Sequence, residues 1–223
     1  MVKPLFDPQQ LPIEAIAGEA AVAVERLTPA WLRRRFAAPP AAWTPEERER
    51  VIPGRAGRPP TPASVLIPLV QRAAGLTVLL TQRTAHLTDH AGQISFPGGR
   101  AEDYDRDAVD TALRESEEEI GLARRHVDVL GALPDYLTGT GYCVTPVVGL
   151  VQPPFEVIAD PDEVAAIFEV PLAFLMDGLN HQRLSVELPG GRRSFYAMPY
   201  EGYYIWGATA GMLRNLFHFL RAE

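Results

Sequence analysis

Residues 98–122 read GGRAEDYDRDAVDTALRESEEEIGL and place Glu115, Glu117, Glu118 and Glu119 within five positions, just before a glycine. Val109, Ala112, Leu113, Ser116 and Ile120 recur at i, i+3, i+4, i+7 and i+11, a mostly apolar stripe that predicts a helix. Asp105 and Asp107 are N-cap candidates, and Gly121 sits where a C-terminal glycine belongs. Acidic side chains at a helix C-terminus are unfavourable by roughly 0.3–1 kcal/mol each when exposed. The i, i+4 pair Glu115 and Glu119 adds on the order of 0.2–0.5 kcal/mol of repulsion. Glu115, Glu118 and Glu119 share one helix face. Two readings fit such a face: a solvated acidic surface, or carboxylates gathered for a hard divalent cation, which binds a few carboxylates together with substrate phosphates and water.

The flanking residues favour the cation. Arg114-Glu115-Ser116-Glu117-Glu118-Glu119-Ile120-Gly121-Leu122 resembles the second half of the Nudix box, departing only at Ser116, where an aliphatic residue is usual. The first half departs more. Arg100 and Arg106 stand where that family's spacing expects Gly and Glu, and Gly98-Gly99 precede Arg114 by one residue more than usual. Asp105 or Glu102 is the acid available to replace the missing Glu. The resemblance implies an α/β/α Nudix sandwich with a mixed β-sheet. It also implies Mg²⁺ or Mn²⁺ on Glu115, Glu118 and Glu119, with Arg114 orienting Glu115. Glu163 is a candidate fourth ligand or general base; the alternative is an exposed loop Glu beside Asp160 and Asp162.

Leu79-Leu80-Thr81-Gln82-Arg83, Gly92 and Phe96-Pro97-Gly98-Gly99 are similar to the signature of the Nudix branch that hydrolyses coenzyme A. Thr84 and Thr88 depart from it, and at Thr88 a basic residue is usual. Segments 137–146, 162–172 and 205–210 also resemble that branch, so the likeness spans residues 60–222. It implies cleavage of coenzyme A or its derivatives into 3′,5′-ADP and 4′-phosphopantetheine. Arg83, Gly98 and Gly99 would then bind substrate, and Phe96 or Tyr142 could stack on adenine or simply pack. The alternatives are a diphosphatase for ADP-ribose or a dinucleotide, and a non-catalytic Nudix domain that senses a nucleotide.

Composition narrows the partners. With 223 residues and a formal charge of −7, the chain lacks the basic excess that nucleic-acid polymers require, so a small-molecule substrate is expected. The single cysteine, Cys143, excludes an intramolecular disulfide framework and suits a reducing cytoplasm; its apolar surroundings point to a buried thiol. No apolar stretch reaches the ~18 residues of a membrane span, and no secretory signal is evident. His86 and His90, four apart, have no third ligand pattern for zinc.

Residues 1–60 are expected to form a helical and proline-rich extension, and 61–223 the Nudix domain. Within the extension, 13–35 has an amphipathic helical pattern, suited to packing on the domain or on a second subunit of a homodimer; a membrane-surface helix is the alternative. Prolines 39, 40, 45, 53, 59, 60 and 62 then make an extended connector. Strands are expected at 63–70, 76–82, 127–133, 144–151 and 164–170. A short helix should open at 172–176, a hairpin at 184–188 and 195–198 should turn at Gly190-Gly191, and 207–220 should close the chain as a helix.

Overall fold

The computed structural model describes residues 6–46, 59–86, 91–188 and 191–223; Thr88, His90, Gly190 and most of the connector lie outside them. In chain order, β1 (Ala15–Ile16) and α1 (Pro29–Ala37) lead to β2 (Thr61–Arg72), β3 (Gly75–Arg83), β4 (Ile94–Ser95) and β5 (Gly98–Arg100). The helix α2 (Ala108–Ile120) follows, then β6 (Val127–Ala132), β7 (Tyr136–Leu137), β8 (Tyr142–Val151) and β9 (Val164–Pro171). The chain ends with α3 (Leu172–Leu175), β10 (Gln182–Leu188), β11 (Gly191–Tyr200), β12 (Tyr203–Trp206) and α4 (Gly207–Arg221).

The larger sheet has the order β4-β3-β2-β8-β6, with β5 on β2, β7 on β8 and β9 on β3. It is mixed, because β2 and β8 run parallel from Thr61 opposite Tyr142 to Val70 opposite Val151, while the other pairs are antiparallel. Alternation along the central strands gives each face its own core. Leu66, Val70, Val147 and Val151 face α2 through Ala112 and Ile120. Ile67, Leu69, Val148 and Leu150 face α4 through Leu213, Leu216 and Phe217. This is the expected helix–sheet–helix arrangement. A second sheet, β1-β10-β11-β12, packs on α4 mainly through β11.

Two elements differ from expectation. Among the described residues of the N-terminal segment only Pro29–Ala37 is α-helical: Thr28 caps it by accepting from the Trp31 N–H, and proline opens its first turn. Upstream, Ala15–Ile16 is a strand on β10, and Gly18 at φ 72° turns the chain away from it. The β10–β11 hairpin is longer than its apolar residues suggested, and β12 follows it.

Candidate active site

Local chemistry fixes both ends of α2. Asp107 accepts from the Asp110 N–H at 2.8 Å, and Gly121, at φ 67°, donates back to the Glu117 carbonyl while Leu122 donates to that of Ser116. Ser116, the departure from the box, is buried with its hydroxyl donating to the Ala112 carbonyl at 2.7 Å. A short polar side chain is tolerated there because its O–H is satisfied.

The acidic face of α2 lies over β5. Glu119 is 4% exposed; its Oε2 accepts from the Gly98 N–H at 3.1 Å and its Oε1 lies 3.4 Å from Arg83 Nη1. Burial, more than the neighbouring carboxylates Glu163 and Glu115, pushes its pKa up to about 7. Glu115 sits against Gly99 so closely that a Cβ there would lie 2.5 Å from its Oε2. Its pKa is raised as well, again chiefly by burial and against the pull of Arg114.

Arg114 organises the acids around it. Its Nη1 donates to Glu115 at 2.8 Å and to Glu118 at 2.9 Å, and its Nε and Nη2 form a fork onto Asp105, each at 2.9 Å. Nη2 also donates to the Arg100 carbonyl at 3.0 Å. The fork holds the Asp105 carboxyl well below the usual carboxylate range. Of the two acids the sequence left open, Asp105 therefore stands beside Arg114. Glu117 points elsewhere, to Arg124.

Arg83 and Glu163 meet because β3 and β9 pair with Arg83 opposite Val164, and Arg83 Nη2 lies 4.0 Å from Glu163 Oε2. Phe96 is not brought to the site: it is 2% exposed within the main core, so its ring packs and cannot stack on a base. Tyr142 is engaged by Arg100, whose guanidinium lies 5.6 Å over its ring and donates to its hydroxyl at 3.2 Å. His86 contacts Thr84. Among the described residues, no three His, Cys, Asp or Glu side chains converge as a ready-made metal cage. The arrangement offers hard carboxylates, two of them partly desolvated, beside a glycine-lined backbone edge.

Comparison with known proteins shows the family. The profile of the NUDIX domain matches residues 60–185. A protein of Escherichia coli K12 named "Uncharacterized Nudix hydrolase NudL" is 46% identical over 155 residues, covering 69% of this chain and 80% of its own. The NudL of Escherichia fergusonii is 45% identical over the same length. Among solved structures, a C. elegans Ap4A hydrolase binary complex has a TM-score of 0.43 at 19% identity, covering 49% of this chain and 80% of that one. With the domain match spanning more than half of its length and NudL close to half identical, the chain belongs to the Nudix family, hydrolases that act on diphosphate bonds.

Proposed function

We propose that this protein hydrolyses the diphosphate of coenzyme A, or of an acyl or oxidised derivative, to 3′,5′-ADP and a 4′-phosphopantetheine species. One observation carries the reading. Arg83, the last residue of the LLTQR element, lies against one oxygen of Glu119, and Gly98 of the FPGG element donates to the other. Both halves of the signature that resembles the coenzyme A branch thus border the acidic face of α2. ADP-ribose and dinucleotides share the diphosphate and are the alternatives that the assay below separates.

The carboxylate set fits a divalent cation. Glu115, Glu118 and Glu119 are hard oxygen donors, and a cation would offset the cost that burial places on the charged forms of Glu115 and Glu119. These three residues would hold Mg²⁺ or Mn²⁺ without closing a cage, which would leave positions for substrate phosphate and water. When bound, such an ion neutralises the phosphate oxygens and lowers the pKa of a coordinated water. The chain's own residues do the rest. Arg114 fixes Glu115 and Glu118 in place through one nitrogen. Gly99 carries no side chain that would push the Glu115 carboxylate out of place. Arg83 presents a guanidinium to the diphosphate, a partner suited to phosphate oxygens. Glu163, about half exposed beside Arg83, accepts the proton of the attacking water.

The test is a side-by-side assay of coenzyme A, ADP-ribose and NADH with Mg²⁺ and with Mn²⁺. The expected result is a kcat/KM for coenzyme A at least about tenfold above the other two, a gap of about 1.4 kcal/mol in transition-state stabilisation. A preference for ADP-ribose or NADH overturns the substrate assignment, and turnover undiminished in excess chelator overturns the metal.

A further inference from the structure

Of the two rings that the sequence offered, Phe96 is buried and Tyr142 is only partly exposed, its hydroxyl and one face engaged by Arg100. A third aromatic, which sequence reasoning passed over, is open. Tyr104 is 70% exposed and stands at the site, its ring 5.5 Å from the Cζ of Arg114, the same guanidinium that holds Glu115 and Glu118. Its position is fixed by a tight turn. The Asp105 N–H donates to the Glu102 carbonyl at 3.0 Å, and the Glu102 N–H donates to Asp105 Oδ2 at 2.9 Å. The Asp105 carboxylate is in turn forked onto Arg114. Tyr104 is therefore the third residue of a turn whose fourth residue is locked to the catalytic helix.

We propose that Tyr104 is a specificity-determining residue, a stacking platform for the nucleobase of the substrate. One side of the ring is taken by Arg114, while most of the side chain faces solvent, next to the arginine that holds the proposed cation-binding carboxylates Glu115 and Glu118. A large aromatic surface left in water gains by covering itself, and a planar purine does so without demanding a hydrogen-bond code. The cation beneath polarises the ring and adds a stack of guanidinium, phenol and base. The inference rests on the substrate carrying an adenine, which coenzyme A, ADP-ribose and NADH all share, so it does not depend on which of them is preferred.

Calorimetric titration with AMP and with ribose 5-phosphate, in Mg²⁺, tests this on the wild type, Tyr104→Ala and Tyr104→Phe. The wild type is expected to bind AMP at least about tenfold more tightly than ribose 5-phosphate, because only AMP has a base to stack. Tyr104→Ala should abolish that preference and leave ribose 5-phosphate affinity unchanged, and Tyr104→Phe should keep it. Three results overturn the proposal: a wild type with no preference for AMP, a Tyr104→Ala protein whose AMP affinity stays within about twofold, or equal weakening of both ligands. The last would make Tyr104 a support for Arg114. Failure of the coenzyme A reading would appear separately, as absent coenzyme A turnover with the AMP preference intact.

Discussion

Glu119 is nearly buried, and a carboxylate there meets one backbone N–H and one guanidinium at a long distance. Its folded pKa of about 7 lies above the ordinary 4.5, so between those values the native state holds a proton that the unfolded chain has released. Stability contributed by the protonated form is complete below about pH 4.5 and is lost as pH rises towards 7. In chelator, the melting temperature should fall between pH 5 and 8, and Glu119→Gln should flatten that fall and raise the melt at pH 8 by roughly 3 °C or more. An unchanged pH profile in the variant would refute the assignment. The same substitution should cost activity at least about tenfold in Mg²⁺, since a neutral amide is a poor ligand for a hard cation. A variant within about threefold of wild type would show that Glu119 is not a ligand.

Where β5 meets α2, two adjacent glycines serve different ends. A Cβ on Gly98 would lie 2.4 Å from the Ser64 carbonyl oxygen, and its φ of 153° is one that side chains rarely adopt. The three atoms nearest to a Cβ on Gly99 all belong to the Glu115 carboxyl group, a side-chain tip and not backbone. Gly98→Ala should therefore lower the melting temperature clearly, whereas Gly99→Ala should melt close to wild type but lose at least about tenfold in kcat/KM, because it displaces a carboxylate. Parallel melts and kinetics on the two variants decide this. The helix itself was legible in the sequence because its stripe, its caps at Asp107 and Gly121 and its acidic face are all local. Arg83 beside Glu119 was not legible in the sequence, since it depends on β3 and β5 both pairing with β2. Nothing local distinguished Asp105 from Glu102; the fork onto Arg114, nine residues on, did so. The amphipathic pattern at 13–35 misled because Ala15–Ile16 found a strand partner in β10, a tertiary contact that propensity does not see.

On the scale of the molecule, a buried polar cluster ties the N-terminal segment to α4, on the sheet face opposite the carboxylates. Arg214, 3% exposed, donates to both oxygens of Glu19, at 2.7 and 3.1 Å, and to His181 Nδ1 at 3.0 Å. Burial brings the His181 pKa down to about 4, so its ring is neutral at physiological pH, with Nε2 donating to the Leu175 carbonyl. The hydrogen bonds from Arg214 bring the Glu19 pKa down to about 2. The stability that this ion pair gives is full above the ordinary value of 4.5 and is lost as pH falls through 2. Glu19→Ala removes the carboxylate that accepts twice from the buried guanidinium, leaving it Glu46 at 3.8 Å and His181, and should cost about 3 kcal/mol at pH 7, whereas Arg214→Met leaves two partly exposed carboxylates that water can reach and should cost less. Urea unfolding at pH 7 and pH 2.5 checks both the order and its disappearance in acid, with turnover per folded molecule retained. The parallel pairing of β2 with β8 has a consequence in time. The two strands that flank the centre of the sheet are separated by roughly eighty residues of chain, and α2 lies between them in sequence. A nascent chain that has emerged only as far as α2 carries every acid of the box yet has no β8 to complete the core under the helix's apolar face. Collapse must wait for Val151, so this enzyme should fold slowly for its size and acquire its catalytic geometry in one late, long-range step.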